Sequence, residues 1–202
     1  ICAKEMPVAT EPENLLFIMS DEQSGKYTGF GGHPIVKTPN LDALAASGTV
    51  FSNAYTNSPI CKSARAALST GRYVHETGHW CNAHPYAGTP DSWMHRLQQA
   101  HVPVTSIGKL HFRDDTAPTG FDEQIIPMHA VNGVGDILGA IRDGDMPVRH
   151  KTRSLAEEIG PGESTYTKYD RDITEKASHW LEQTAPDLDQ PWVLYVGLVA
   201  PH

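Results

Sequence analysis

Cysteine, long apolar runs and positive charge are all scarce in this sequence. Cysteine occurs only at Cys2, Cys61 and Cys81. An odd, small number does not build a disulfide framework, and a reduced compartment suits it. The longest apolar run, Trp192 to Ala200, has nine residues, against the roughly 20 a helix needs to cross a bilayer. Sixteen Lys and Arg stand against 24 Asp and Glu, a net charge of −8. That balance argues against a nucleic-acid binder, which needs a basic face. An anionic substrate stays open, because the local field of a pocket can oppose the net charge. No leader peptide, internal repeat or low-complexity stretch is visible, although Ile1 is not a start Met. Together with the few cysteines, this points to the cytoplasm and to no membrane partner.

The 202 residues suffice for one domain, since a chain of this size buries roughly 70% of its surface. Residues 1–13 read as an arm and 14–202 as a single domain. The chain stops straight after its most apolar run, so the domain is expected to continue in a longer protein.

Leu15 to Met19 is a continuous apolar run ending in Ser20-Asp21-Glu22, the pattern of a buried strand that delivers two acids to a loop. In open α/β sheets, ligands sit outside the C-terminal ends of such strands. Thr38 to Gly48 predicts a helix with Thr38 as cap, Pro39 in the first turn and Leu41, Leu44 and Ala45 as its apolar stripe. Val50 to Tyr55 alternates like a strand. Ser63 to Thr70 and Ser92 to Ala100 read as helices, and Val102 to Ile107 as a strand. Residues 112–167 read as irregular structure with short helices and an apolar stretch at Val134 to Ile141. His129 and His150, in that region, are candidates to wall a pocket. Tyr169 to Gln183 predicts a helix before the final strand. Strands alternating with helices mean an α/β fold with a largely parallel sheet.

The segment Pro59-Ile60-Cys61-Lys62-Ser63-Ala64-Arg65 through Gly71-Arg72 carries most of the chemistry. Cys61 stands before an Ala-rich helix, where unpaired N–H groups favour an anion and lower a thiol pKa. Arg65, four residues on, shares a helical face with it. A nucleophile one turn from a fixed cation suits a tetrahedral oxyanion ester. The alternative is a small buried hydrophobe beside a surface Arg.

This stretch resembles the signature of the sulfatase family, C-x-[P/A]-S-R-x-x-L-x-T-G. Four further features follow in family order: the strand ending in Asp21-Glu22, the T-P-N-L-D-x-L-A-x-x-G helix from Thr38 to Gly48, Gly108-Lys109-Leu110-His111, and a strand ending in Pro201-His202. The resemblance implies an α/β alkaline-phosphatase-like three-layer sandwich, with a large, mostly parallel mixed sheet between helices. It also implies a hydrolase cleaving a sulfate ester through formylglycine, made from Cys61 by a formylglycine-generating maturation enzyme, together with a divalent cation. Cys61 matches the nucleophile position and Arg65 the Arg that braces it. Asp21 matches an acidic ligand of the cation. Glu22 stands where many members have a second Asp, and Cys61 itself completes the expected ligand set. Lys109 matches the Lys on the substrate oxyanion, His111 the His at the nucleophile, and His202 a His at the substrate. Calcium is the expected cation. Manganese or zinc would fit if the same machinery cleaved a phosphonate monoester or phosphodiester.

The pattern is broken at Ser63, where Pro or Ala is usual, and at Ala64, where Ser is common. A non-catalytic binding domain with an unconverted Cys61 is therefore an alternative. The family's remaining metal ligands lie beyond this chain, so the fragment alone is expected to be weak or inactive. Whether the chain forms a homo-oligomer is open. His75-Glu76-Thr77-Gly78-His79 spells the zincin motif, but Gly71 and Gly78 interrupt the helix that this chemistry needs. Cys81 and His84 are a further candidate pair for structural zinc.

Overall fold

The apolar run Leu15–Met19 does form a strand, β1, outermost on its side of the sheet among the described residues. A computed structural model of the chain describes residues 13–134, 157 and 159–202. The other strands are β2 (Val104–Lys109), β3 (Glu123–Met128) and β4 (Val193–Gly197). They lie in the order β1-β4-β2-β3, and every pairing is parallel. Parallel neighbours require crossovers, which the helices provide. The helices are α1 (Pro39–Ser47), α2 (Cys61–Thr70), α3 (Val74–Thr77), α4 (Trp93–Gln99) and α5 (Thr165–His179). A π-turn, Trp180–Thr184, and a short 3₁₀ turn carry α5 on towards β4.

Side-chain alternation along β4 builds two cores. Val193 and Tyr195 face α2 and α4, packing with Ala66, Met94, Val104 and Phe112. Leu194 and Val196 face the other way, onto Ile173, Ala177 and Trp180 of α5 and its extension. The sheet is thus covered on both faces, which makes three layers. Complete burial of Leu194 contributes roughly 1.5–3 kcal/mol by transfer alone. The expected mixed sheet is wholly parallel among the described residues.

Several expectations are corrected. Val50 to Tyr55 is an open loop with Phe51 and Tyr55 exposed; alternation alone makes no strand without a neighbour to complete its hydrogen bonds. Glu123–Met128 is a strand inside the region read as irregular. Its Pro127 is tolerated because β3 is the outermost strand on its side among the described residues, and a register shift between Ile107 and Lys109 absorbs the mismatch. Helix α1 forms, but the described residues do not cover its stripe: Leu44 is 67% exposed. Thr38 does not cap its own helix. Its hydroxyl accepts from Gly29 N–H and donates to Asp42 Oδ1. Helix α2 starts at Cys61, two residues earlier than the Ala-rich run suggests. It closes on Gly71, whose φ of 65° needs no Cβ and whose N–H returns to Ala67 O. The arm 1–13, the stretch Val134 to Ile141 and His150 lie wholly or almost wholly outside the described residues.

Candidate functional site

Three adjacent strands end on the same side of the sheet, and each hands over a polar residue. After β1 comes Asp21, 6% exposed; β2 ends on Lys109, 1% exposed; β4 leads to His202. The Lys109 ammonium is ion-paired with the Asp21 carboxylate in the interior. Gly197 of β4 lies against this strand end so closely that a Cβ there would overlap the Lys109 carbonyl oxygen.

Helix α2 brings the other half of the site. Arg65 is buried, and its Nη1 donates to Lys109 O at 2.7 Å and to the Tyr195 hydroxyl at 3.0 Å. The guanidinium is thereby pinned to the end of β2 and to the middle of β4. Tyr195 passes the contact on to Met19 Sδ at 3.0 Å, and burial pushes its phenol pKa up. Cys61 is the first residue of α2, one turn before Arg65. Its thiol donates to Asn82 Oδ1 at 3.5 Å, and the same oxygen accepts from Lys62 N–H at 3.4 Å. The Ile60 side chain cannot cap α2, so Asn82 serves this helix N-terminus from another loop. Lys62, also buried, donates its ammonium to Asn82 O at 3.2 Å. A cavity of about 620 Å³ opens beside this assembly, lined by Met19 to Glu22, Tyr55 to Cys61, Ala64 and Arg65.

His111 follows β2 in a left-handed conformation, φ 57°. It therefore does not join Lys109 through strand alternation, as its spacing suggested. Its N–H donates to Met128 O at 2.7 Å, and its buried Nδ1 has no hydrogen-bond partner among the described residues. Its pKa is lowered to about 3, first by burial and then by Lys109, Lys62 and Arg65, with Asp21 opposing. A neutral imidazole thus stands among three cations. Three cations against the buried Asp21 make this interior electropositive in a chain of net charge −8, the condition for drawing in an anion.

His202 lies at the rim. Its Nδ1 is 3.0 Å from Glu22 Oε1, and its ring faces Tyr166 at 5.9 Å. Glu22 is 64% exposed on its side chain and turns to His202. The expected ligand set Asp21, Glu22 and Cys61 is not gathered: among the described residues no cluster of three or more His, Cys, Asp or Glu could hold a metal ion. The chemistry of Asp21 nevertheless fits one corner of a divalent-cation site, since its buried carboxylate already holds a cation, the Lys109 ammonium. Calcium takes six to eight oxygens, so these residues would supply part of such a sphere.

The zincin spelling does not form a ligand pair. Helix α3 ends at Thr77, before the second His of the motif, and Gly78 turns the chain away at φ 77°. His75 stacks on Tyr73 at 5.5 Å, whereas buried His79 bonds His84 O at 2.9 Å. Cys81 Sγ lies 3.4 Å from His84 Nδ1, without a third ligand among the described residues. His129 bonds Gln124 Oε1 at 3.0 Å. Asn82 and Tyr195 escaped sequence reasoning, because neither is near its partner in the chain. The thiol-to-Asn contact spans 21 positions and the Arg65–Tyr195 contact 130.

Among known proteins, the family model described as Sulfatase matches residues 13–202. Arylsulfatase K of Danio rerio is 33% identical over 193 residues, covering 94% of this chain and 34% of that protein. A solved structure of a protein in complex with its substrate D-glucosamine-2-N,6-O-disulfate superposes with a TM-score of 0.68 at 25% identity, over 95% of this chain and 35% of that one. The phosphonate monoester hydrolase of Agrobacterium radiobacter superposes with a TM-score of 0.65 at 22% identity, over 95% of this chain and 41% of that one, a likeness of fold. The chain therefore spans about a third of the length of the curated relative. The expected α/β, alkaline-phosphatase-like layering holds over the part covered. The cytoplasmic placement is corrected: this chain is similar to arylsulfatase K proteins, and scarce cysteines and an unseen leader carry no weight in a sequence that starts at Ile1 and matches only part of them.

Proposed function

The chain belongs to the sulfatase family, and on that premise we propose that it forms the nucleophile-bearing part of a hydrolase that cleaves a sulfate ester. The observation that carries this reading is the convergence of Cys61, Arg65, Lys109 and Asp21. Arg65 is bonded to the Lys109 carbonyl and Lys109 is paired with Asp21. Cys61 lies one turn from Arg65 at the mouth of a cavity.

Each side chain has a role that its surroundings support. Cys61, as formylglycine, would present a hydroxyl at the positive end of α2 as the attacking oxygen. A divalent cation held by Asp21, and by Glu22 if that side chain turns inward, would polarise the S–O bond. Arg65 has no freedom to swing, so its charge is aimed before substrate arrives, which makes it effective against charge developing on the ester oxygens. Lys109 is the second such charge. His111, kept neutral, would offer a hydrogen bond through its unpartnered Nδ1. His202, beside Glu22 at the rim, would hydrogen-bond the substrate. Asn82 Oδ1 fixes the direction of the side chain at position 61. The partners would be a small-molecule sulfate ester and a formylglycine-generating enzyme that recognises the Cys61–Arg65 segment.

The test is made on the full-length protein. Peptide mass spectrometry should find residue 61 about 18 Da lighter than cysteine, the change from thiol to aldehyde. Hydrolysis of an aryl sulfate should exceed that of a phosphonate monoester and vanish in Cys61→Ala. An intact thiol with no esterase activity would overturn the reading in favour of a binding domain, and the opposite substrate preference would favour a phosphonate ester hydrolase.

A further inference from the structure

The turn that carries His202 is gripped from outside its own strand. Beyond β4, the N–H groups of Val199 and Ala200 each donate at 2.7 Å to one oxygen of the Asp170 carboxylate on α5. Hydrogen bonds to an ionised acceptor are the stronger kind, and here both oxygens of one side chain take consecutive amides. The turn is closed by His202 N–H, which donates to Val199 O at 3.1 Å. Tyr166, one turn before Asp170 on the same helix, sets its ring against the His202 imidazole at 5.9 Å. On its other side His202 meets Glu22 at 3.0 Å. Helix α5 otherwise serves the core through Ile173 and Ala177.

We propose that Asp170 is a positioning residue for His202. By holding the amides of Val199 and Ala200, its carboxylate sets where the imidazole stands relative to Glu22 and the Asp21–Lys109 pair. The grip and the Tyr166 ring come from one helix, so α5 places the backbone and the side chain of His202 together. The catalytic consequence rests on the reading of His202 as a substrate-facing group. The grip itself stands on the geometry alone.

The experiment uses Asp170→Asn in the full-length protein, with two readouts. Hydrogen–deuterium exchange of a peptide covering 198–202 should quicken on the order of tenfold or more, as amides lose a charged acceptor, while α5 and the sheet stay as protected as before. In aryl sulfate hydrolysis, kcat should fall with KM little changed, and Asp170→Asn added to His202→Asn should cost no further activity, because both act through one imidazole. If Asp170→Asn does not accumulate as folded protein, Asp170→Glu, which keeps the charge one methylene away, should give the same pattern at smaller amplitude. Unchanged exchange at 198–202 would overturn the grip. Changed exchange with multiplicative kinetic losses would overturn the positioning of His202. A wild-type enzyme without sulfate esterase activity would count against the proposed function, and exchange would still decide the grip.

Discussion

Removing the charge of Asp21 is expected to destabilise the protein far more than removing a surface acid. Asp21 and Lys109 form an ion pair with 6% and 1% of their surface exposed. Asp21→Asn keeps the shape and leaves a buried ammonium without a counter-charge. Breaking such a pair from one side costs about 3–5 kcal/mol. The Arg65 guanidinium, bonded to the carbonyl of that same lysine, adds repulsion and places the expectation in the upper half of that range. In the full-length protein the loss is expected as a clear fall in Tm, smaller per kcal/mol the larger the unit that unfolds. Lys109→Met should cost a comparable amount by leaving the carboxylate unpaired. The double variant should cost less than the sum, because a neutral Asn beside Met leaves no charge stranded. Thermal unfolding followed by circular dichroism, in chelator so that no cation replaces the ammonium, reads all four proteins. A loss below about 1 kcal/mol for Asp21→Asn, the size of an exposed salt bridge, or strict additivity in the double variant, would refute the argument.

Two further outcomes follow from single groups. Ser63 is fully buried and its hydroxyl has no partner among the described residues, so Ser63→Ala should stabilise by about 1 kcal/mol, the lower end of the cost of an unsatisfied buried group; an unchanged denaturation midpoint would mean that the hydroxyl is satisfied. His111 has its pKa lowered to about 3, against an unfolded value near 6.5. Between these values the unfolded chain binds the extra proton, so stability is full above about pH 6.5 and is lost as pH falls towards 3. His111→Asn, which tolerates the left-handed backbone, should flatten that slope by up to about 1.4 kcal/mol per pH unit; identical slopes for wild type and variant would show that His111 is not held neutral.

The residues proposed for the site stand out in the sequence because each motif is local. A run such as Leu15–Met19 announces a buried strand, and the acids after it fall at the strand's C-terminal end, where open sheets bind ligands. Cys61 and Arg65 are one turn apart, and Gly71 stops their helix by its own conformational freedom. Lys109 and His111 are grouped by the two-residue spacing of an extended segment. His111 feels the charge of Lys109, but it stands beyond β2 in a left-handed conformation and not on an alternating strand. Val50 to Tyr55 and Glu123–Met128 were misread in opposite directions, because whether a segment is a strand depends on a neighbour that the segment does not encode.

From the sequence alone came the α/β class, the stop of α2 at Gly71 and the candidate set of reactive side chains, since periodicity and short spacings act within a turn or two of chain. Tertiary structure alone decided the strand order, the pinning of Arg65 between Lys109 and Tyr195, the pairing of Lys109 with Asp21, the placing of Asn82 beside Cys61 and the hold of Asp170 on the His202 turn. Those contacts join residues separated by 21 to 130 positions. They arise because packing two faces of a sheet brings strand ends together, and no local rule records which distant group will be waiting there.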